Sequence, residues 1–199
     1  MKYRIYRALL VTLISILQGC TRNIMMEKIP EIKTKSPLSE VKPLNIVIRE
    51  FGYESLSKTA EFIKVQKDGL NKEIKDIVLE AISNELRRNG HNVFTSVNAD
   101  TNADMIIEGN VSKYEHLVIP GWTAKINTII EVKLLYINRG SDKPILKTYS
   151  GNYTHARPTW ETASKMLEKC TELTLLNMVE KFTTDPELMD IFKELEKHK

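Results

Sequence analysis

Cysteine is scarce in this chain, and the usual signatures of catalysis and metal binding are missing. The 199 residues hold two cysteines, Cys20 and Cys170, too few for a disulfide framework. No CxxC occurs. His91, His116, His155 and His198 are scattered, with no HxxxH pair to share a metal. The GxSxG elbow, the P-loop and the GxGxxG turn are all absent. Asp100, Asp104 and Glu108 lie close in sequence but lack the spacing of a calcium loop, and they read as solvated carboxylates. These absences lead to the expectation of a protein that is not an enzyme, with no catalytic residues, no metal and no cofactor.

Net charge is also lacking. The formal value is +3, and Lys2, Arg4 and Arg7 account for all of it. The rest of the chain is neutral, so binding to nucleic acid through a basic surface is not expected. Long apolar runs are limited to one, Ala8–Leu17, about half of what a membrane-spanning helix needs. A basic start, a short apolar core and a small residue before a cut site make a secretory signal over residues 1–19. The sequence Leu17-Gln18-Gly19-Cys20 resembles a bacterial lipobox. That resemblance implies cleavage between Gly19 and Cys20, a diacylglyceryl group on the Cys20 thiol, and an acyl chain such as palmitate on its new amino group. The membrane is then a partner through these chains. Thr21 stands where Asp would favour retention in the inner membrane, so the expected place is the periplasmic face of the outer membrane. Cys170 is left without a disulfide partner and reads as a packing residue on a helix.

Residues 20–43 show no sustained periodicity and contain Pro30, Pro37 and Pro43 among several lysines. They read as the lipidated cysteine followed by a flexible tether reaching on the order of 25 Å. Residues 44–199 read as one domain. Leu44–Glu50 alternates as a strand. Leu70, Ile74, Ile77, Val78, Ala81, Ile82 and Leu86 recur at helical spacing, which predicts a helix from Lys67 to about Asn89, stopped by Gly90. Strands follow at His91–Thr95, Asp104–His116 and Trp122–Asn138, then a turn over Asn138–Pro144 and a strand over Ile145–Thr154. Ala124, Ile126, Thr128, Ile130, Val132, Leu134 and Tyr136 share one strand face. On the other face Ile129, Leu135 and Ile137 interrupt the polar residues, which suggests partial cover. Thr159 is a candidate cap for a helix carrying Ala163, Leu167, Cys170, Thr174 and Met178. Asp185 caps a last helix with Leu188, Ile191, Phe192 and Leu195 inward. The fold class expected is α+β: a mostly antiparallel sheet, β-α-β then a β-meander, with helices on one face and two of them at the C-terminus.

The stretches LEAISNELRRNGHNV, INTIIEVKLLY and TYSGNYTHARPTWETASKMLEKC, in this order after a lipobox, resemble the YajG-like family of bacterial lipoproteins. The resemblance implies a small envelope domain and supplies no active-site residues. It makes an interaction or assembly module the leading expectation, with an envelope protein as candidate partner. An auxiliary lipid-binding or small-ligand-binding subunit of an envelope transporter is the alternative. Oligomeric state is not legible.

The candidate contact residues are Leu117, Val118, Ile119 and Trp122, gathered around the Pro120-Gly121 turn. Two readings stand: an exposed tip that meets a partner or a membrane, or side chains folded back onto the core, as the usual burial of Trp favours. Tyr149, Tyr153 and Trp160 are a second candidate: they line a groove beside the last strand or, the favoured reading, pack against the final helices with the Tyr hydroxyls reaching the surface.

Overall fold

In the computed structural model, the strict alternation of Lys125–Asn138 becomes the floor of the core. The structure describes residues 24–26, 28–33, 35–54, 62–65, 71–95, 102–119, 125–139, 143–156 and 161–197. Gly19, Cys20, Asp100, Trp122, Thr159, Trp160 and His198 lie outside them, as does the secretory signal. The strands are β1 (Ile24–Met26), β2 (Asn45–Ile48), β3 (Gly52–Tyr53), β4 (Phe62–Val65), β5 (Asn71–Glu73), β6 (Asn92–Phe94), β7 (Met105–Ile119), β8 (Lys125–Asn138) and β9 (Ile145–Ala156). The helices are α1 (Ile74–Arg88), α2 (Ala163–Thr183) and α3 (Pro186–Lys197).

The main sheet has the order β6-β2-β7-β8-β9, with β3 continuing along the edge of β7 that β2 occupies. β7, β8 and β9 form the expected antiparallel meander. β2 runs parallel to both β6 and β7, and β3 runs parallel to β7, so the unit β2-α1-β6 is a parallel crossover at one side of a sheet whose long pairings are antiparallel. On β8, Ile126, Thr128, Ile130, Val132, Leu134 and Tyr136 are all buried. Cys170, Thr174, Met178 and Phe182 of α2 are buried as well, and α2 packs on β8 and β9. The layer is α+β as expected, with the helices on one face.

α1 begins at Ile74 and not at Lys67. Asn71–Glu73 is instead a strand, paired antiparallel with β4, and β1 joins β4 to make a second, three-stranded sheet. The helical period in Leu70–Leu86 is real from Ile74 onward, but periodicity cannot mark a start without a capping side chain, and Glu73 makes no side-chain cap. The end of α1 is legible. Gly90 takes φ +97°, its N–H donates to Arg87 O at 3.0 Å, and His91 N–H donates to Leu86 O at 3.1 Å. This is a Schellman closure, which glycine adopts without steric penalty.

The flexible tether is the largest correction. Ile24, Met26, Ile29, Leu38 and Val41 are buried. Ser36 N–H donates to Asn89 Oδ1 at 3.0 Å, and Leu44 N–H to His91 Nδ1 at 3.3 Å. Pro37–Glu40 forms a single 3-10 turn against α3, and Lys42 reaches Glu196 at 3.2 Å. The segment covers helix ends in an irregular path, so its apolar residues carry neither a period of two nor one of 3.6, and the pattern reads as linker.

The contact between α2 and β9 leaves no room for a side chain at Gly151. A Cβ on Gly151 would stand 2.1 Å from Thr174 O and 2.8 Å from Met178 Cβ. Gly151→Ala must push the helix off the sheet, and it is expected to cost about 1–3 kcal/mol. The test is the urea midpoint of the variant against the parent; an unchanged midpoint would mean that the helix slides freely here.

Candidate interaction surface

β7 and β8 are longer than any other strand, and their pairing runs to Ile119↔Lys125. A β-bulge between Val111 and Lys113 changes which side chains face the helices. Before it Met105, Ile107 and Val111 are buried; after it Tyr114 is. Gly109, on the same face as Ile107 and Val111, leaves room for the ring of Phe51, which a Cβ would meet at 2.4 Å. Beyond Tyr114 the strand outruns its cover. Leu117 is 59 % exposed, Val118 57 % and Ile119 39 %. Val118 therefore does not fold back onto the core. Successive residues point to opposite faces, so this end is apolar on both sides.

Beneath that end lies a polar chain that sequence reading did not assemble. His116 Nε2 pairs with Tyr114 OH at 3.0 Å, and His116 Nδ1 with Thr128 Oγ1 at 2.8 Å. Tyr114 OH meets Thr171 Oγ1 of α2 at 3.3 Å. Thr174 Oγ1 donates to Thr128 O at 3.3 Å, and Cys170 Sγ to Ile126 O at 3.5 Å. Burial pushes the Cys170 thiol up, against backbone and side-chain hydrogen bonds that lower it, so this is an inert packing thiol. His155 Nε2 lies 2.6 Å from Glu161 Oε2 and ties β9 to the entry of α2. Thr162 is the N-cap of α2, accepting from Lys165 N at 3.4 Å. The bulge at Ser112 hid the grouping of Tyr114 and His116, because it breaks a count by twos from Ile107.

A second polar cluster closes the opposite end. Asp185 Oδ1 accepts from Glu187 N at 2.9 Å and caps α3 as expected. Its Oδ2 accepts from Lys147 Nζ at 2.6 Å and Tyr149 OH at 2.7 Å, and Tyr136 OH donates to Tyr149 OH at 3.2 Å. Desolvation raises the Asp185 carboxyl, but the hydrogen bonds from Lys147 and Tyr149, with the ammonium charge, outweigh it and hold the group below its ordinary value. Burial holds both tyrosines above theirs. Every member has a partner, so the cluster is a clasp between β8, β9 and α3 and offers no free acid or base.

The remaining candidates are spread out. Asp104 Oδ2 accepts from Asn45 N at 2.7 Å, and Glu108 pairs with Arg49; the two carboxylates serve strand ends. His91 is buried with its ring edge-on to Phe192 at 5.0 Å. Among the described residues no three His, Cys, Asp or Glu side chains gather as metal ligands would. An open groove of about 460 Å³ lies along α1, lined by Lys72, Asp76, Glu80, Ser83, Asn84 and Arg87, outside the layer between sheet and helices. The edge of β9 is shielded: Lys181 Nζ donates to Ser150 O at 2.7 Å, and Asn152 N donates to Asn177 Oδ1 at 3.3 Å. On the outer sheet face Leu146 is 64 % exposed and Phe94 45 %. Sequence reading named neither; Leu146 carries a signal in being out of phase with Ile145, Lys147 and Tyr149.

The fold defines a small α+β domain with a mostly antiparallel sheet covered on one face, and a solved structure shares it. Protein XCC0632 from Xanthomonas campestris, of family model DUF330, is similar over 89 % of this chain and 99 % of its own, with a TM-score of 0.56 and 10 % identity. A PelC dodecamer from Paraburkholderia phytofirmans is similar over 72 % and 91 %, at 0.42 and 12 %. Lipoprotein GNA1162 from Neisseria meningitidis is similar over 68 % and 99 %, at 0.37 and 12 %. The first of these carries the fold assignment, and identities this low speak to fold alone. No family model and no curated protein matches the chain.

Two measurements check this geometry. The double substitution Leu117→Ser, Val118→Ser should leave the urea midpoint within the equivalent of about 0.5 kcal/mol, as for exposed positions; a loss of several kcal/mol would return these residues to the core. For Asp185 the folded value is depressed, so its stabilisation is full above the ordinary carboxylate range and is lost as pH falls through the folded value. Asp185→Asn keeps an acceptor for the cap but not the charge. It should cost about 1.5–3 kcal/mol at neutral pH and should flatten the loss of stability on acidification below about pH 4.

Proposed function

We propose that this chain is a lipid-anchored protein of the bacterial envelope, held through Cys20 at the periplasmic face of the outer membrane. It works there without catalysis, as an interaction or assembly module. The observation that carries the reading is the apolar end of β7, exposed on both faces at the limit of the two longest strands. Single exposed apolar residues are common, whereas three in succession mark a contact surface. The lipobox resemblance supports the anchor, and the YajG-like pattern supports the setting. Asp185 with Lys147, His116 with Tyr114, and Glu161 with His155 are engaged in clasps, caps and pairs, which is the chemistry of a scaffold.

A ligand-carrying subunit would need an apolar pocket of several hundred Å³ between sheet and helices. Tyr136, Phe182 and Phe192 fill that layer and are fully buried, and the groove lined by Lys72, Leu79 and Arg87 lies along α1, outside that layer. The interaction reading is therefore preferred.

Cys20→Ser should lose the acyl chains by mass spectrometry of the mature N-terminus and leave the membrane fraction. A photo-crosslinking residue in place of Leu117, in intact cells, should capture an envelope component, protein or lipid. A probe that captures nothing would reduce the β7 end to a bare strand terminus.

A further inference from the structure

We propose that the occupant of the exposed β7 end is the lipid bilayer that holds Cys20, so that anchor and strand end enter the same membrane side by side; this rests on the anchored reading above. Three observations lead to it.

The first is where the chain emerges. Met26 and Lys28 line a small cleft with Glu168 and Glu172 in the first half of α2. Between those two glutamates, Cys170 donates to Ile126 O, and Ile126 pairs with Val118. The N-terminal segment therefore enters the domain at the level of the apolar strand end. The opposite end holds the start of β7 and the Asp185 clasp. Ile24 is already buried, so three residues separate it from Cys20, and Cys20 cannot lie more than about 14 Å away. A long tether would have left the orientation open; a short one brings this end of the domain to the lipid.

The second is shape. Leu117 and Ile119 project from one face of the strand and Val118 from the other. A flat apolar patch on a protein would cover one face only, whereas a fluid apolar phase takes both. Three strand residues span about 10 Å, the depth that interfacial apolar groups reach.

The third is the charge around the end. Lys125, Lys165 and Lys169 are exposed there. Carboxylates stand among them: Glu115 meets Lys113 at 3.3 Å, Glu161 meets His155, and Glu168 and Glu172 line the cleft with Lys28. Exposed lysines beside an apolar end suit phospholipid phosphates at the headgroup level.

The test uses the full-length acylated protein in vesicles of phosphatidylethanolamine and phosphatidylglycerol. Val118→Cys and, separately, Leu146→Cys carry an environment-sensitive fluorophore. Leu146 pairs with Leu135, about 30 Å along β8 from the Val118 level. The unsubstituted protein, treated with the label in parallel, reports any reaction at Cys20 or the buried Cys170. The protein should float with the vesicles. The Val118 label should shift to shorter wavelength and be quenched by brominated lipids, and the Leu146 label should do neither. Flotation with the Val118 label still in water would overturn the insertion and leave the anchor standing. A shift without quenching by brominated lipid would put protein, or a second copy of this chain, against the strand and overturn it too. Failure to float would remove the anchored reading and this one with it.

Discussion

The pairing of β7 with β8 is the constraint on which the rest of the structure depends. A strand shows alternate residues to each face, so one register decides at every position what is buried. β8 supplies an unbroken inner row from Ile126 to Tyr136. β7 cannot match it by alternation alone, because Val111 and Tyr114 must both face the helices. The bulge between them resolves the conflict. Without it Lys113 and Glu115 would lie under α2, and two charges without solvent would cost far more than the local loss of a ladder bond. The same shift brings Tyr114 and His116 into reach of Thr128 and Thr171, and it sends Val118 out along the helix side of the sheet.

Around this hairpin the molecule closes its other openings. Gly151 lets α2 sit on β9, and Asn177 and Lys181 of that helix occupy backbone groups on its edge. The segment before Leu44 seals α1 against α3 through Ser36, Asn89 and His91. Asp185 joins a helix cap to a tyrosine pair and a lysine. Polar groups satisfied in this way hold one arrangement of helices on sheet, since any other leaves them desolvated without partners. What stays apolar and uncovered at the level where the N-terminal segment enters is the end of β7.

Much of the architecture was legible because it depends on periods. The alternation in β8, the 3.6-residue spacing in α1 and α2, the glycine stop at Gly90 and the Asp185 cap all express local chemistry that needs no distant partner. Three features were not legible. The bulge at Ser112 has no residue of its own that demands it; it follows from what faces it. Thr159 and Thr162 are both able to cap, and the hydrogen bond to Lys165 N selects Thr162. Residues 24–43 looked like a tether because their burial follows helix ends and not a repeat.

By itself the sequence determined the class of fold, the neutrality of the chain after Arg7, the lipobox-like order of residues ending at Cys20 and the unusual apolar cluster from Leu117, since these are properties of composition and short-range order. Tertiary structure decided the lengths that matter. It drew the supposed tether into the fold, ran β7 past its helical cover, and brought the start of the domain to the level of that strand end. Those outcomes depend on which surfaces meet, and the chemistry of meeting surfaces appears only when the chain has folded.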